Sequence, residues 1–278
     1  MPFAVVLAGG GARGLAHAGV LRALEHYGYR PTSVVGVSMG AVVAVTYALN
    51  PDWYAALVDL DVEGFPTAPR PCAPDLFARL RALAAAERLL QDMVFGWGVG
   101  ARSLEWGRRL LDQLTLGKTL EEGRIPVATV ATDLGSGKRV VLDHGNAAVA
   151  AHASAALAGV VPPLVHDGLL LVDGAYADLV PVDVARRSGA ARIVAVDPYQ
   201  DPGSQLPRNG VQAMLKAMEI CAREHANLRF GEADLVLRPS FPFPIDTLEF
   251  FHKRVAIAAG ARAVRTTLAN LRALLDAA

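Results

Sequence analysis

An α/β fold built on a mainly parallel sheet is what this 278-residue chain predicts, and three observations predict it. An apolar, partly β-branched run from Phe3 to Ala8 leads through glycines into a helical pattern. A second short apolar run, Thr32 to Gly36, leads through a tight turn into another, and strand-length apolar runs keep recurring to the far half of the chain. Two strand-then-helix units in a row imply parallel strands joined by crossover helices.

Each element follows in order. The first run is apolar throughout, as suits a strand buried on both faces, and "GLAHAGVLRALEHYG" then reads as a helix closed by Gly28. The second unit carries a helix to about Leu49. From Asp52 to Leu116 no convincing strand appears. Pro66, Pro69, Pro71 and Pro74 punctuate this stretch, and Leu76, Leu80, Leu83 and Leu90 then fall on one helical face, so residues 52–116 read as a helical insertion or cap within a single domain of residues 1–278. Strands resume at "IPVATVATDL" and "KRVVLDH", and a helix is expected around Ala147 to Ala156. Asp167-Gly168 between apolar runs signals a hairpin, making Leu169 to Val172 a strand that ends at Asp173. "ARIVAVDP" and "ADLVLRP" are further strands, and helical patterns fill the remainder.

Composition narrows the function. Lys+Arg and Asp+Glu are both 27, so balanced charge gives no general reason to bind nucleic acid. The opening "MPFAVVLAGGG" shows no basic leader, and its glycines interrupt the apolar run well before it could span a bilayer. Cys72 and Cys221 stand far apart and read as free thiols, so the expectation is a cytoplasmic chain in a reducing compartment.

Gly9, Gly11 and Gly14 satisfy G-x-G-x-x-G between a strand and a helix, the context of a dinucleotide cradle. Such a site also needs an acid at the end of the second strand, and "GVSMG" stands there instead. Gly36-Val37-Ser38-Met39-Gly40 fits a nucleophile elbow, a strand-to-helix turn that lifts a serine hydroxyl above the sheet, with Gly36 and Gly40 easing a crowded backbone. The alternative is an ordinary turn with an N-capping serine. The backbone N–H groups of Gly10 and Gly11, at a helix N-terminus beside that turn, could bind a developing oxyanion, and Arg13 could clamp that oxygen or a lipid phosphate. For Arg13 the alternative is a plain surface arginine. None of the seven histidines stands out as a base. Asp173, at a strand end before Gly174-Ala175, could serve if burial raised its pKa within reach of the serine; the alternative is an Asp-Gly turn without chemistry.

At these residues the sequence resembles the patatin-like phospholipase family, in particular bacterial members related to the neuropathy target esterase catalytic domain. The likeness is collinear over residues 4 to 184: "GGGARGLAHAGVL", "GVSMGA", "VATDLGSGKRVVL", "ASAALAGVVPP" and "DGAYADLVPV". It implies a three-layer α/β/α fold and a Ser–Asp dyad, with Ser38 as nucleophile, Asp173 of the D-G-A motif (Gly174, Ala175) as base, and the Gly9 to Gly14 loop as oxyanion hole. It implies hydrolysis of lipid acyl esters through an acyl-enzyme, without metal or cofactor. An acyltransferase using the same dyad and a non-catalytic lipid-binding regulator are the rival readings. Two departures stand out: Ala158 where many relatives carry proline, and Asp178 where asparagine is frequent. The aromatic residues of the insertion, Trp53, Trp97 and Trp106 with Phe65, Phe77 and Phe95, could line an acyl channel, touch a membrane interface or pack a small core of their own. "VFGWGVG" is the candidate lid, and "FPFPIDTLEFF" either closes the other side of the pocket or packs on the sheet.

Overall fold

A computed structural model describes residues 1–63, 101–200, 206–207 and 210–276. The leucines of the expected insertion helix, "VFGWGVG", Cys72 and Phe65, Phe77, Phe95 and Trp97 lie outside them. The flanks of the insertion that are described are helical, α3 (Trp53–Val58) and α4 (Ala101–Thr115).

The centre is an eight-stranded sheet. Its strands are β1 (Phe3–Leu7), β2 (Ser33–Val37), β3 (Val127–Asp133), β4 (Arg139–Leu142), β5 (Leu164–His166), β6 (Leu169–Asp173), β7 (Arg192–Val196) and β8 (Leu235–Leu237). They lie in the order β5-β6-β3-β2-β1-β7-β8, with β4 paired to β3. The block β3-β2-β1-β7-β8 is parallel, and β4, β6 and β5 add antiparallel pairs. At the β5–β6 hairpin Asp167 and Gly168 both take positive φ, 49° and 76°, as a primed two-residue turn requires.

Alternation along β1 separates two apolar layers. Phe3, Val5 and Leu7 face one core with α1 (Ala16–His26), α2 (Met39–Leu49), α5 (Ala147–Ala155), α8 (Lys253–Thr266) and α9 (Leu268–Leu275). Ala4 and Val6 face the other, with α6 (Val182–Arg187) and α7 (Gly210–Phe230). Helices on both faces of a sheet make the expected three layers. Trp53, at 3% exposure, belongs to the first core and packs edge-on against Tyr47. Of the insertion's aromatic residues, it is one that packs instead of meeting solvent.

Candidate active site

Ser38 ends β2 and caps α2 with φ 56° and ψ −126°, a conformation that side chains rarely adopt. Strand and helix pack so closely here that a Cβ on Gly36 would lie 2.3 Å from the Gly40 carbonyl oxygen, and one on Gly40 would lie 2.1 Å from that of Leu7. The glycines are therefore a steric requirement of the sharp turn. The serine hydroxyl makes no capping bond. Instead Oγ donates to Asp173 Oδ2 at 2.7 Å.

Register explains that meeting. β2 lies parallel to β3 with Val37 beside Val130, and β6 lies antiparallel to β3 with Asp173 beside Ala131. Ser38 and Asp173 thus sit at one level, on the two strands flanking β3. Because β6 runs against its neighbour, Asp173 reaches the site from the opposite direction to Ser38. The strand-end position read from sequence is found, with Asp173 ending a strand that runs antiparallel to β3.

Three side-chain contacts fix the pair. Asp173 Oδ1 accepts from the Ala175 N–H at 2.9 Å, and the Thr132 hydroxyl donates to the Asp173 carbonyl at 2.9 Å while accepting from the Ala177 N–H. The Ser38 N–H donates to Ser154 Oγ at 3.0 Å, and the Ser154 hydroxyl donates to the Val130 carbonyl at 2.5 Å. Thr132 and Ser154 were not singled out from sequence, although Ser154 lies in the quoted "ASAALAG" segment. Asp173 is 2% exposed, and burial raises its carboxyl to about 6 against the opposing bonds from Ala175 and Ser38. Around and above that value it is poised to exchange a proton.

The glycine loop follows β1. Gly9 lies against the serine, where a Cβ would stand 3.3 Å from Ser38 Cβ and 2.6 Å from a Leu179 methyl. Gly10 packs on Pro198, and Gly14 packs so tightly on Met39 that a Cβ would lie 2.7 Å from that of Met39. Gly11 adopts φ 53° and opens a short 3₁₀ turn, Gly11–Leu15. The N–H groups of Gly10 and Gly11 find no protein acceptor among the described residues. His17 holds the loop from behind, its Nε2 2.7 Å from the Ala8 carbonyl, and burial lowers its pKa to about 4. At neutral pH the ring is uncharged, and its Nε2 is taken up by the Ala8 carbonyl.

Arg13 departs from the expectation of an oxyanion or phosphate clamp. It is 6% exposed, with its guanidinium committed to the Ile245 carbonyl at 3.0 Å and to Glu219 at 2.5 Å. Buried beside a carboxylate, it ties the glycine loop to α7. Two arginines of that helix make further ionic contacts: Arg223 with Asp197 at 2.7 Å, and Arg229 with Asp178 and Asp183. Arg139 of β4 bridges the same two carboxylates. Asp178 is thus held by two arginines and by the Val180 N–H. The other departure also has a structural counterpart. The Ala158 N–H donates to the Tyr176 hydroxyl at 3.1 Å, a bond that proline could not make.

A cavity of about 160 Å³ opens over the pair, against the roughly 10–15 Å³ that one water needs. Ser38, Asp173 and Gly11 form one part of its wall, and most of the rest is apolar, including Val42, Trp106, Leu111, Val160, Leu248 and Phe250. His152 also lines it, lowered in pKa by burial. The two alternatives for the "FPFPIDTLEFF" segment divide among its residues: Thr247, Leu248 and Phe250 line the cavity, while Phe241 packs against the first core. Among the described residues no group of three or more His, Cys, Asp or Glu is arranged to hold a metal ion.

Comparison with known proteins identifies the family. A family model described as patatin-like phospholipase matches residues 5–186. The chain is 34% identical over 197 residues to lysophospholipase NTE1 of Mycosarcoma maydis, covering 71% of this chain and 10% of that protein. It is 31% identical over 199 residues to patatin-like phospholipase domain-containing protein 6 of Mus musculus, covering 70% and 13%. The chain therefore corresponds to a small part of these relatives. Among solved structures, VipD from Legionella pneumophila superposes with TM-score 0.52 at 16% identity, over 97% of this chain and 67% of that one, a likeness of fold.

Proposed function

Since the chain belongs to the patatin-like phospholipase family, we propose that it is a serine hydrolase of lipid acyl esters working through Ser38 and Asp173. The observation that carries this reading is the 2.7 Å bond from the Ser38 hydroxyl to a buried carboxylate at the wall of an apolar cavity. As Oγ bonds to the ester carbonyl carbon, its proton passes to Asp173. The oxyanion so formed is held by the N–H groups of Gly10 and Gly11, a stabilisation typically worth about 3 kcal/mol per donor. Collapse breaks the bond to the leaving alcohol, which takes the proton from Asp173 and leaves an acyl-enzyme. Water then attacks the acyl carbon, giving its proton to Asp173, and the acid departs as Oγ is reprotonated.

The apolar lining, to which α4 contributes Trp106 and Leu111, suits an acyl chain. The substrate is a phospholipid, lysophospholipid or simpler lipid ester met at a membrane surface, in a reducing cytoplasmic setting. No helix among the described residues is long and apolar enough to cross a membrane. Intact protein is expected to take a fluorophosphonate label at Ser38 and to cleave short-chain p-nitrophenyl esters, whereas Ser38→Ala does neither. A folded wild type that takes no label and cleaves no ester would sink the reading. Product analysis with an added alcohol acceptor separates hydrolysis from acyl transfer.

A further inference from the structure

The segment that closes the cavity continues to the surface. Two of its rings, Phe243 and Phe251, stand 39% and 56% exposed. They flank the His252 imidazole, with ring centres 4.7 and 4.2 Å away. Exposed rings of this kind suit a partner that is apolar or interfacial.

The helix that follows carries charge of one sign. From 253 to 275 the chain has Lys253, Arg254, Arg262, Arg265 and Arg272 and no Asp or Glu, although its net charge is zero. Arg254 and Arg262 of α8 are exposed, and neither makes an ion pair among the described residues. Arg262 donates to the Ser240 carbonyl at 3.4 Å, beside the segment that carries Phe243, and Arg254 lies three residues beyond Phe251. Both arginines therefore lie beside the segment that carries the rings, and its two acids, Asp246 and Glu249, are outnumbered by the cations of the helices that follow.

We propose that this face, formed by Phe243, Phe251, Arg254 and Arg262, docks on an anionic lipid surface and sets the cavity mouth against it. Aromatic rings favour the boundary between acyl chains and headgroups, and guanidinium groups favour lipid phosphates. A second copy of this chain is a poor occupant, because a two-fold contact would bring the same arginines together. The inference rests on the lipid-ester reading above and says where that substrate is met.

The test is sedimentation of the full chain with vesicles of phosphatidylcholine alone or mixed with phosphatidylglycerol. The wild type is expected to bind the mixed vesicles and to release them in high salt. The pair Arg254→Gln with Arg262→Gln is expected to lower partition about thirtyfold, and Phe243→Ser with Phe251→Ser about tenfold. Both double variants keep wild-type hydrolysis of a soluble p-nitrophenyl ester, which reports that they are folded. Equal partition of wild type and variants, or a wild type indifferent to anionic vesicles, would overturn the docking face. A wild type that binds mixed vesicles, loses them in both variants and yet cleaves no ester would instead overturn the hydrolase and leave the docking face standing.

Discussion

Burial shifts Asp173 up to about 6 and His17 down to about 4, and the two shifts act oppositely on stability. Between 3.8, the ordinary value for Asp, and about 6, the folded chain binds the Asp173 proton while the unfolded chain does not. Acidification through that window therefore stabilises the fold by about 3 kcal/mol. Between 6.5, the ordinary value for His, and about 4, the unfolded chain binds the His17 proton that the folded chain refuses, so the same acidification destabilises by about 3 kcal/mol. In the wild type these contributions offset each other. Asp173→Asn removes only the first. It is expected to be more stable than wild type near neutral pH by up to about 3 kcal/mol, and to lose that advantage as pH falls toward about 4, read from denaturant unfolding at several pH values. Activity runs the other way. The wild-type kcat/KM is expected to fall as pH drops below about 6, and the Asn variant to lose at least about a thousandfold in kcat. Ser38→Gly is likewise expected to gain about 1 kcal/mol by relieving the positive φ, with no hydrolysis remaining.

Helix α1 directly follows the 3₁₀ turn of the glycine loop, and α8 packs against it almost backbone to backbone. A Cβ on Gly19 would lie 1.8 Å from the Ile257 carbonyl oxygen, and one on Gly260 would lie 1.8 Å from that of Ala16. Gly260→Ala must therefore spread the two helices. It is expected to destabilise the protein by about 2–3 kcal/mol, seen as a lowered Tm, and to reduce ester hydrolysis because the glycine loop is carried on α1. This crossing was not legible in sequence, where both glycines merely weaken helical patterns. The elements themselves were legible. The expected strand at Thr32–Gly36 is found one residue later, as β2, and Asp167-Gly168 made the predicted hairpin, because buried runs and turn residues act locally.

The ionic contacts of α7 join parts of the chain that sequence sets far apart: the glycine loop through Arg13, the end of β7 through Asp197, and the segment after Asp173 through Asp178. Arg139→Ala would leave Asp178, 5% exposed at its side chain, with Arg229 as its one arginine, at longer range, beside the Val180 N–H. The expected loss is about 2–3 kcal/mol in denaturant unfolding, smaller than for a fully orphaned buried charge because Arg229 remains. Nothing in the spacing of these residues marked them as partners. Arg13 is the plainest case: its sequence neighbours suggested a clamp for substrate, while a carboxylate more than two hundred positions away claims it.

By itself the sequence determined the layered α/β architecture, the sharp turn at Ser38 and the candidacy of Asp173, since each depends on residues adjacent in the chain. Only the tertiary structure decided that β6 runs against β3 in the register that brings Asp173 level with Ser38. It also decided that Thr132 and Ser154 brace the pair and that Arg13 is spent on structure. The physical reason is range: turn geometry and hydrophobic periodicity are short-range properties, whereas strand direction, burial and charge pairing depend on groups that meet only when the chain has closed on itself.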